Sequence, residues 1–141
     1  MRLLIMGTLV LANLLGPEAA LGMSSYKWKF RPLLVFAENG TNASLSEQRR
    51  IVATSRPGLA ERDVVVIWIV GDNVSADLGP HPRESASTLR TRFGTSTAAF
   101  RAVLVGKDGG TKLMSSSPLM ADALYATIDS MPMRRDEMRR E

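Results

Sequence analysis

The chain has 141 residues, enough for one domain, and its 45% apolar and 23% charged residues exclude an intrinsically disordered protein. Its net charge of +4 comes from lysines and arginines dispersed along the chain, a pattern that disfavours nucleic-acid binding. The absence of cysteine excludes disulfide bonds, thiol-based redox catalysis and attachment as a bacterial lipoprotein.

The N-terminus has the pattern of a secretory signal peptide. Arg2 supplies a positive charge, residues 3–15 form an apolar run, and small residues at Ala20 and Gly22 predict cleavage after Gly22. The apolar run is shorter than the roughly 20 residues that a membrane-spanning helix needs. The sequence therefore predicts an exported protein, periplasmic or secreted, with a single domain over residues 23–141 and no membrane span after signal removal.

The predicted domain begins with two strands. In residues 23–31 aromatic side chains alternate with lysines and an arginine, which favours a short edge strand. Leu33–Ala37 is a continuous apolar run, as expected for a central strand that is covered on both faces. Residues 38–42 then form a polar turn.

A helix and a second buried strand follow. Ser44 and Glu47 have the spacing of a capping box, which predicts a helix from Ser44 to about Ser55. The Pro-Gly pair at residues 57–58 marks the end of that helix. Val64–Val70 is apolar and largely β-branched, so we expect a fully buried strand that is parallel to the first.

The second half of the domain predicts a loop, a short helix and a hairpin. Residues 71–85 are rich in Gly, Pro and Ser and indicate a loop. A short helix over residues 87–93 is capped by its first serine and closed by Gly94. Arg101–Val105 and Thr111–Met114 flank a glycine-rich turn and are predicted to form a β-hairpin.

The terminal helix is predicted to open at Ser117 and to end at Pro132. Its apolar stripe, which we expect to pack on the sheet, consists of Met120, Leu124, Ile128 and Met131. Residues 133–141 carry mostly charged side chains and are predicted to lie on the surface, largely exposed to water.

These elements, in the order βαβαββα, predict an α/β fold with three layers and a four-stranded mixed sheet. Three segments resemble those of thioredoxin-like folds: residues 36–38 at the end of the first strand, residues 89–94 before the hairpin, and the hairpin itself, residues 101–113. The predicted fold class is therefore thioredoxin-like.

Over residues 26–139 the chain also resembles the P-DUDES family of secreted domains of unknown function. These domains occur alone in bacteria and within animal sushi-repeat-containing extracellular proteins. The segments that carry the resemblance are residues 31–35, 59–64, 107–110 and 128–134. The resemblance implies a thioredoxin-like or peroxiredoxin-like fold and a secreted location, without an agreed activity. Gly40 and Ala43 stand where the two redox cysteines of thioredoxin would lie, so this chain has no means of dithiol exchange.

Polar residues after the two buried strands form the candidate binding surface: Glu38, Asn39, Thr41 and Asp72. We expect them to lie together because parallel strands end at one edge of a sheet, where open α/β sheets place ligand sites. The sequence favours a non-catalytic module that binds a protein partner in the envelope or extracellular space, with no catalytic residue, cofactor or metal. The plainer interpretation is a pair of polar turns that end the strands.

The alternative function is a cysteine-independent envelope enzyme linked to oxidative stress, in which Glu38 and Asp72 perform acid–base chemistry or hold a metal. His81, the single histidine, lies between two prolines and is interpreted as an exposed loop residue, since a lone imidazole makes neither a nucleophile relay nor a metal site. Met131 and Met133 have the M-x-M spacing of a soft copper ligand pair, but core packing explains Met131 on the helix stripe.

Overall fold

The computed structural model describes residues 22–141, so the predicted signal peptide lies outside the described residues except for Gly22. In chain order this part contains a 3₁₀ turn (Met23–Tyr26), β1 (Arg31–Ala37), α1 (Ala43–Thr54), α2 (Arg56–Glu61), β2 (Val64–Val70), β3 (Asn73–Asp77), α3 (Ala86–Phe93), β4 (Arg101–Val105), β5 (Thr111–Ser115), α4 (Ala121–Asp129) and α5 (Pro132–Arg139). Among the helices of residues 22–141, none has both the length and the apolar character needed to cross a membrane.

The strands form one mixed sheet in the order β3-β2-β1-β4-β5. β1 and β2 are parallel along their whole length, with Arg31 opposite Val64 and Ala37 opposite Val70. β4 runs antiparallel to β1, and β5 antiparallel to β4. The prediction of an α/β fold with an adjacent parallel pair is confirmed, whereas the prediction of four strands is wrong because the sheet has a fifth.

The additional strand is β3, which lies in the segment predicted as a loop. It pairs antiparallel with β2, and Val70 opposite Asn73 leaves only Gly71 and Asp72 in the turn. Gly71 has a φ of 59°, a conformation that glycine adopts without steric cost and that two-residue hairpins require. Few of the β3 residues are apolar, and its strand conformation comes from pairing with the edge of β2.

Helices cover both faces of the sheet and bury two apolar clusters. On one face Leu45, Val52, Leu59, Leu124 and Ile128, from α1, α2 and α4, pack on alternate residues of the strands. On the other face Met23 and Tyr26 of the 3₁₀ turn and Leu89 of α3 pack on the remaining strand residues. β1 is buried on both faces, which confirms the prediction made from the continuous apolar run Leu33–Ala37.

The segment before β1 is not the edge strand that its alternating pattern predicted. Tyr26 is buried in the 3₁₀ turn, and its hydroxyl donates a hydrogen bond of 2.6 Å to the carbonyl of Pro80. Trp28 has a positive φ of 69° and is 62% exposed. The turn around these two aromatics replaces the strand because Tyr26 is anchored in the core on one face of the sheet.

The caps of α1 and α3 differ from the predicted ones. Asn42, not Ser44, caps α1, because its Oδ1 accepts a hydrogen bond of 2.9 Å from the backbone N–H of Leu45. Ser85 caps α3 in the same way through Thr88. Gly94 closes α3 with a φ of 65°, which confirms the predicted C-terminal glycine.

Substitution of Asn42 by alanine is expected to lower the free energy of unfolding by about 1 kcal/mol, because the N–H of Leu45 loses its cap. The control is Ser44→Ala, which the capping-box prediction would make equally costly. In the structure Ser44 lies inside α1, where alanine is the better helix former, so we expect no loss. Urea unfolding of the two variants checks this, and an equal loss for both would restore Ser44 as the cap.

The terminal helix starts later than predicted, at Ala121. Gln48 holds the preceding chain in place: its Oε1 accepts from the N–H of Leu119 at 2.7 Å, and its Nε2 donates to the carbonyl of Leu119 at 3.0 Å. Leu119 is thereby buried, while Met120 is 53% exposed at the N-terminal boundary of α4. Leu124 and Ile128 are fully buried as predicted, and the expected burial of Met120 is wrong.

The C-terminal segment is not the water-exposed tail that its charges predicted. α4 ends at Asp129, and Pro132 begins a further helix, α5, as its first residue, where proline is well tolerated. Within α5, Arg134 is 2% exposed. This helix is docked on the domain by ion pairs with residues far away in the sequence.

Candidate functional site

The carboxyl ends of β1 and β2 bring the predicted site residues together. Ala37 and Val70 are register partners, and Glu38 and Asp72 follow them closely in the sequence. The N–H of Gly71 donates to the carbonyl of Ala37 at 3.0 Å, which joins the two chain segments beyond the sheet. A Cβ at Gly71 would lie 3.3 Å from the carbonyl of Glu38, so this close approach and the positive φ both favour glycine there.

The loop after β1 is held in shape by Asn39. Its Oδ1 accepts from the N–H of Thr41 at 3.0 Å and from the hydroxyl of Thr41 at 2.7 Å. Glu38, Asn39 and Thr41 are all exposed. We call the four residues Glu38, Asn39, Thr41 and Asp72 the strand-end surface.

The carboxylates of the strand-end surface differ from most others in the domain. Among the described residues, the carboxylates that form ion pairs are Glu47, Glu61, Asp63, Asp77, Glu84, Asp108, Asp129, Asp136, Glu137 and Glu141. Glu38, Asp72 and Asp122 have no such partner in residues 22–141. Asp122 lies in the first turn of α4, where the helix N-terminus favours negative charge. Glu38 and Asp72 are thus exposed carboxylates that form no ion pair with any residue of this part of the chain.

A residue that sequence reasoning missed lies directly behind this surface. Arg90 of α3 is 5% exposed, and its guanidinium donates to the carbonyl of Gly71 at 2.7 Å and to the carbonyl of Ala37 at 3.0 Å. It therefore fixes the backbone from which Glu38 and Asp72 project. The sequence gives little sign of this role, because these two carbonyls meet at Arg90 only after the strands are paired.

A cluster of ionised groups lies at the opposite end of β1. Arg31 is fully buried, and its guanidinium donates to both carboxylate oxygens of Glu137 at 3.2 and 3.1 Å and to the carbonyl of Arg62 at 2.8 Å. Lys107 donates to the same Glu137 and to Asp63, both at 2.8 Å. Glu137 of α5 is therefore shared by two buried cations.

Further ion pairs extend this cluster towards α2 and α4. Arg134 donates to Asp129 and to Glu61, each at 3.1 Å. Arg62 donates to Asp129 through Nε and Nη2 at 3.0 and 2.9 Å. We call all of these charged residues together the α5 charge cluster.

Two carboxylates of the α5 charge cluster, Asp129 and Glu137, have lowered pKa values. The hydrogen bond from Arg62, with a further one from Arg134, outweighs burial and holds the pKa of Asp129 below its ordinary value. Burial alone would raise the pKa of Glu137, but hydrogen bonds from its two cations lower that pKa overall. A group that exchanges protons in catalysis needs a pKa near the working pH, so the cluster acts as a structural clamp.

The other sequence candidates are placed apart from the strand-end surface. His81 is exposed, as predicted, and its ring nitrogens lie 2.6 Å from the carbonyl of Pro82 and 2.7 Å from that of Val74 in β3. Met131 packs partly on the core. In residues 22–141 no group of three or more His, Asp or Glu side chains is arranged to hold a metal ion.

Two grooves of the described chain lie away from the strand-end surface. One, of about 380 Å³, is lined by Tyr26, Pro32, Val105 and their neighbours, and the other, of about 240 Å³, by Trp28 and the α4–α5 junction. Both are near the start of β1, and none of the four strand-end residues lines either groove. The surface is therefore suited to contact with a macromolecule more than to enclosing a small substrate.

A family described as "Domain of unknown function (DUF4174)" matches residues 22–137 of the chain. Coiled-coil domain-containing protein 80 of Danio rerio is 29% identical to the chain over 134 residues, which covers 82% of this chain and 15% of that protein. The chain thus spans only about 15% of the length of that relative. No solved structure shows significant similarity to the chain.

Proposed function

The chain belongs to the DUF4174 family of domains of unknown function, and we propose that it is a non-catalytic, exported binding module whose strand-end surface contacts a basic segment of a partner protein. The observation that carries this proposal is the pair Glu38 and Asp72, which are exposed and form no ion pair with any described residue. Most other carboxylates of this part of the chain are ion-paired, so the pair is available to a ligand.

The geometry of the backbone supports a binding role. Arg90 and the Asn39 turn hold the two segments in one conformation, so binding of a partner would cost little conformational entropy there. The proposed partner is basic because Glu38 and Asp72 are exposed carboxylates without an ion-pair partner among the described residues. Opposite charges across an interface mainly speed association and select the partner.

The proposal also includes a thioredoxin-like fold and export from the cell. The fold is supported by the strands β2-β1-β4-β5, with a parallel inner pair, a terminal hairpin and helices on both faces. Export is supported by the signal-peptide pattern of residues 1–22. The absence of cysteine excludes thiol chemistry on this scaffold, which favours binding over catalysis.

A photoreactive amino acid at Gly40 tests the binding surface, because a Cβ at this exposed position has no atom within 4 Å. The partner is captured by irradiation with an envelope or secreted fraction and is then purified. We expect Glu38→Lys and Asp72→Lys each to weaken its binding by about fivefold or more, with a steep loss in high salt. Thermal unfolding should not change, because neither side chain has an internal partner.

The matched control is Asp136→Lys, the same charge change on α5 at a side chain that is 48% exposed. It should leave capture and affinity unchanged. If both strand-end variants bind the recovered partner as tightly as the unmodified domain, the surface assignment is wrong.

The same two carboxylates would carry the alternative function, an enzyme linked to oxidative stress. That function predicts turnover of peroxide or another small substrate, abolished by Glu38→Gln or Asp72→Asn. Peroxide consumption and the metal content of the purified protein are measured together. Turnover that depends on either carboxylate would replace the binding module with the enzyme.

A further inference from the structure

Trp28 has an exposed side chain and a strained backbone conformation. It is 62% exposed, and its φ of 69° is in the left-handed region, which is an outlier for a bulky side chain. Its N–H donates to the carbonyl of Lys107 at 2.7 Å, which holds the strained turn in place. Such strain persists where the surrounding structure enforces it, and it is concentrated at functional positions.

The exposed indole forms one wall of a groove of about 240 Å³, which we call the Trp28 groove. Its other residues come from the start of β1, the β4–β5 turn and the α4–α5 junction: Arg31, Gly106, Lys107, Asp108, Lys112, Met131, Pro132 and Met133. Trp28, Met131, Pro132 and Met133 make the apolar part of this lining. Methionine side chains adapt to varied partners, and the volume suits one or two inserted apolar side chains.

The unpaired charges near the Trp28 groove are positive. Lys27 and Lys29 flank the indole in the sequence, are exposed, and form no ion pair within residues 22–141. The stem of Lys27 lies along the β4–β5 turn, since a Cβ at Gly109 would be 3.0 Å from its Cε. The charged lining residues are all ion-paired: Arg31 and Lys107 with Glu137, and Lys112 with Asp108. The unpaired charges near the groove are therefore those of Lys27 and Lys29.

We propose that the Trp28 groove binds an acidic segment of a second protein, which inserts an apolar side chain between Trp28 and Met133. The free charges of Lys27 and Lys29 attract the acidic flanks, and the strained turn keeps the indole presented to solvent. This surface lies at the opposite end of β1 from the strand-end surface, so it is a second interaction site and does not depend on the first.

The concave shape and the charge favour this occupant. An interfacial membrane contact needs a row of apolar side chains at one level, whereas the apolar residues here line a groove together with Arg31, Lys107 and Lys112. Exposed aromatic residues in pockets, surrounded by a polar rim, are typical anchors of protein interfaces.

The probe is a synthetic fluorescein-labelled peptide with a Leu-Phe pair between two runs of four glutamates. One control peptide has lysines in place of the glutamates, and another has Ser-Ser in place of Leu-Phe. Fluorescence anisotropy should show the acidic apolar peptide binding about tenfold more tightly than either control. In a Trp68→Phe background Trp28 is the single tryptophan, and its emission should shift to the blue when the peptide binds.

Trp28→Gly separates function from structure. Glycine adopts the positive φ without strain, so the melting temperature should be kept or raised while binding of the peptide is lost. Lys29→Glu and Met133→Gln should each weaken binding and leave the fold intact. The matched control is Met114→Ala, which removes an exposed methionine that does not line the groove.

Three results would overturn the proposal. One is a Trp28→Gly variant with a much lower melting temperature, while Lys29→Glu and Met133→Gln bind the peptide normally; the indole would then be structural. Another is equal binding of all three peptides. The third is a blue shift with vesicles of phosphatidylcholine and phosphatidylglycerol, or on self-association seen by sedimentation, in the absence of any shift with the acidic peptide.

Discussion

Replacement of Glu137 by alanine is expected to lower the free energy of unfolding by about 3 kcal/mol. The loss is large because Glu137 is the carboxylate that Arg31 and Lys107 share, and these cations are 0% and 8% exposed. Without it, Arg31 keeps only the carbonyl of Arg62 as a hydrogen-bond acceptor among the described residues. The estimate is at the lower end of the range for broken buried pairs, since Glu137 itself is 20% exposed.

The control for this experiment is the neighbouring carboxylate on the same helix. Asp136 pairs with Arg139, and both side chains are well exposed, so Asp136→Ala should cost about 0.5 kcal/mol or less. Urea or guanidinium unfolding at neutral pH compares the two variants. Equal losses would mean that the α5 charge cluster does not hold α5 on the domain. The C-terminal segment would then contribute as little stability as the water-exposed tail that the sequence predicted.

Leu124→Ala is expected to cost about 2–5 kcal/mol, the range for truncating a buried leucine to leave a cavity. Leu124 is fully buried in the cluster that joins α4 to the sheet. The sequence places Met120 on the same apolar stripe, one helical turn earlier, and would predict a similar loss there. In the structure Met120 precedes α4 and is 53% exposed, so Met120→Ala should change stability by less than about 0.5 kcal/mol.

Thermal and chemical unfolding of these two variants measure where α4 begins. A large loss for Met120→Ala would place its side chain in the core and move the start of the helix to Ser117, as the sequence pattern indicated. A small loss for Leu124→Ala would contradict the packing of α4 on the sheet.

The buried strands could be predicted from sequence because their apolar runs have only one stable placement. Val64–Val70 has the observed bounds of β2, and Leu33–Ala37 lacks only the first two residues of β1. β3 could not be predicted in this way, since its residues become a strand by pairing with an edge that exists only in the folded sheet. Its signal, in retrospect, is the Gly-Asp pair after β2, which suits a two-residue hairpin turn.

The same reasoning explains what sequence analysis missed in α5 and near the strand-end surface. A charged helix is predicted to be exposed unless its ion-pair partners are known. The partners of Glu137, Arg31 and Lys107, lie 106 and 30 residues away in the chain. Arg90 is a buried cation whose acceptors are backbone carbonyls, which carry no side-chain signature. The close approach of the chain segments after β1 and β2, by contrast, followed from the parallel register of two apolar strands.

The ion pair between Arg31 and Glu137 also has a consequence for biosynthesis. The chain is made from its N-terminus, so β1 is present long before the anion that neutralises its first residue. A nascent or clipped chain that ends before residue 137 must bury a guanidinium without its carboxylate, or leave the start of β1 undocked. The domain is therefore expected to reach its full stability only when the last helix is complete. Truncated products should be the forms that proteases remove first.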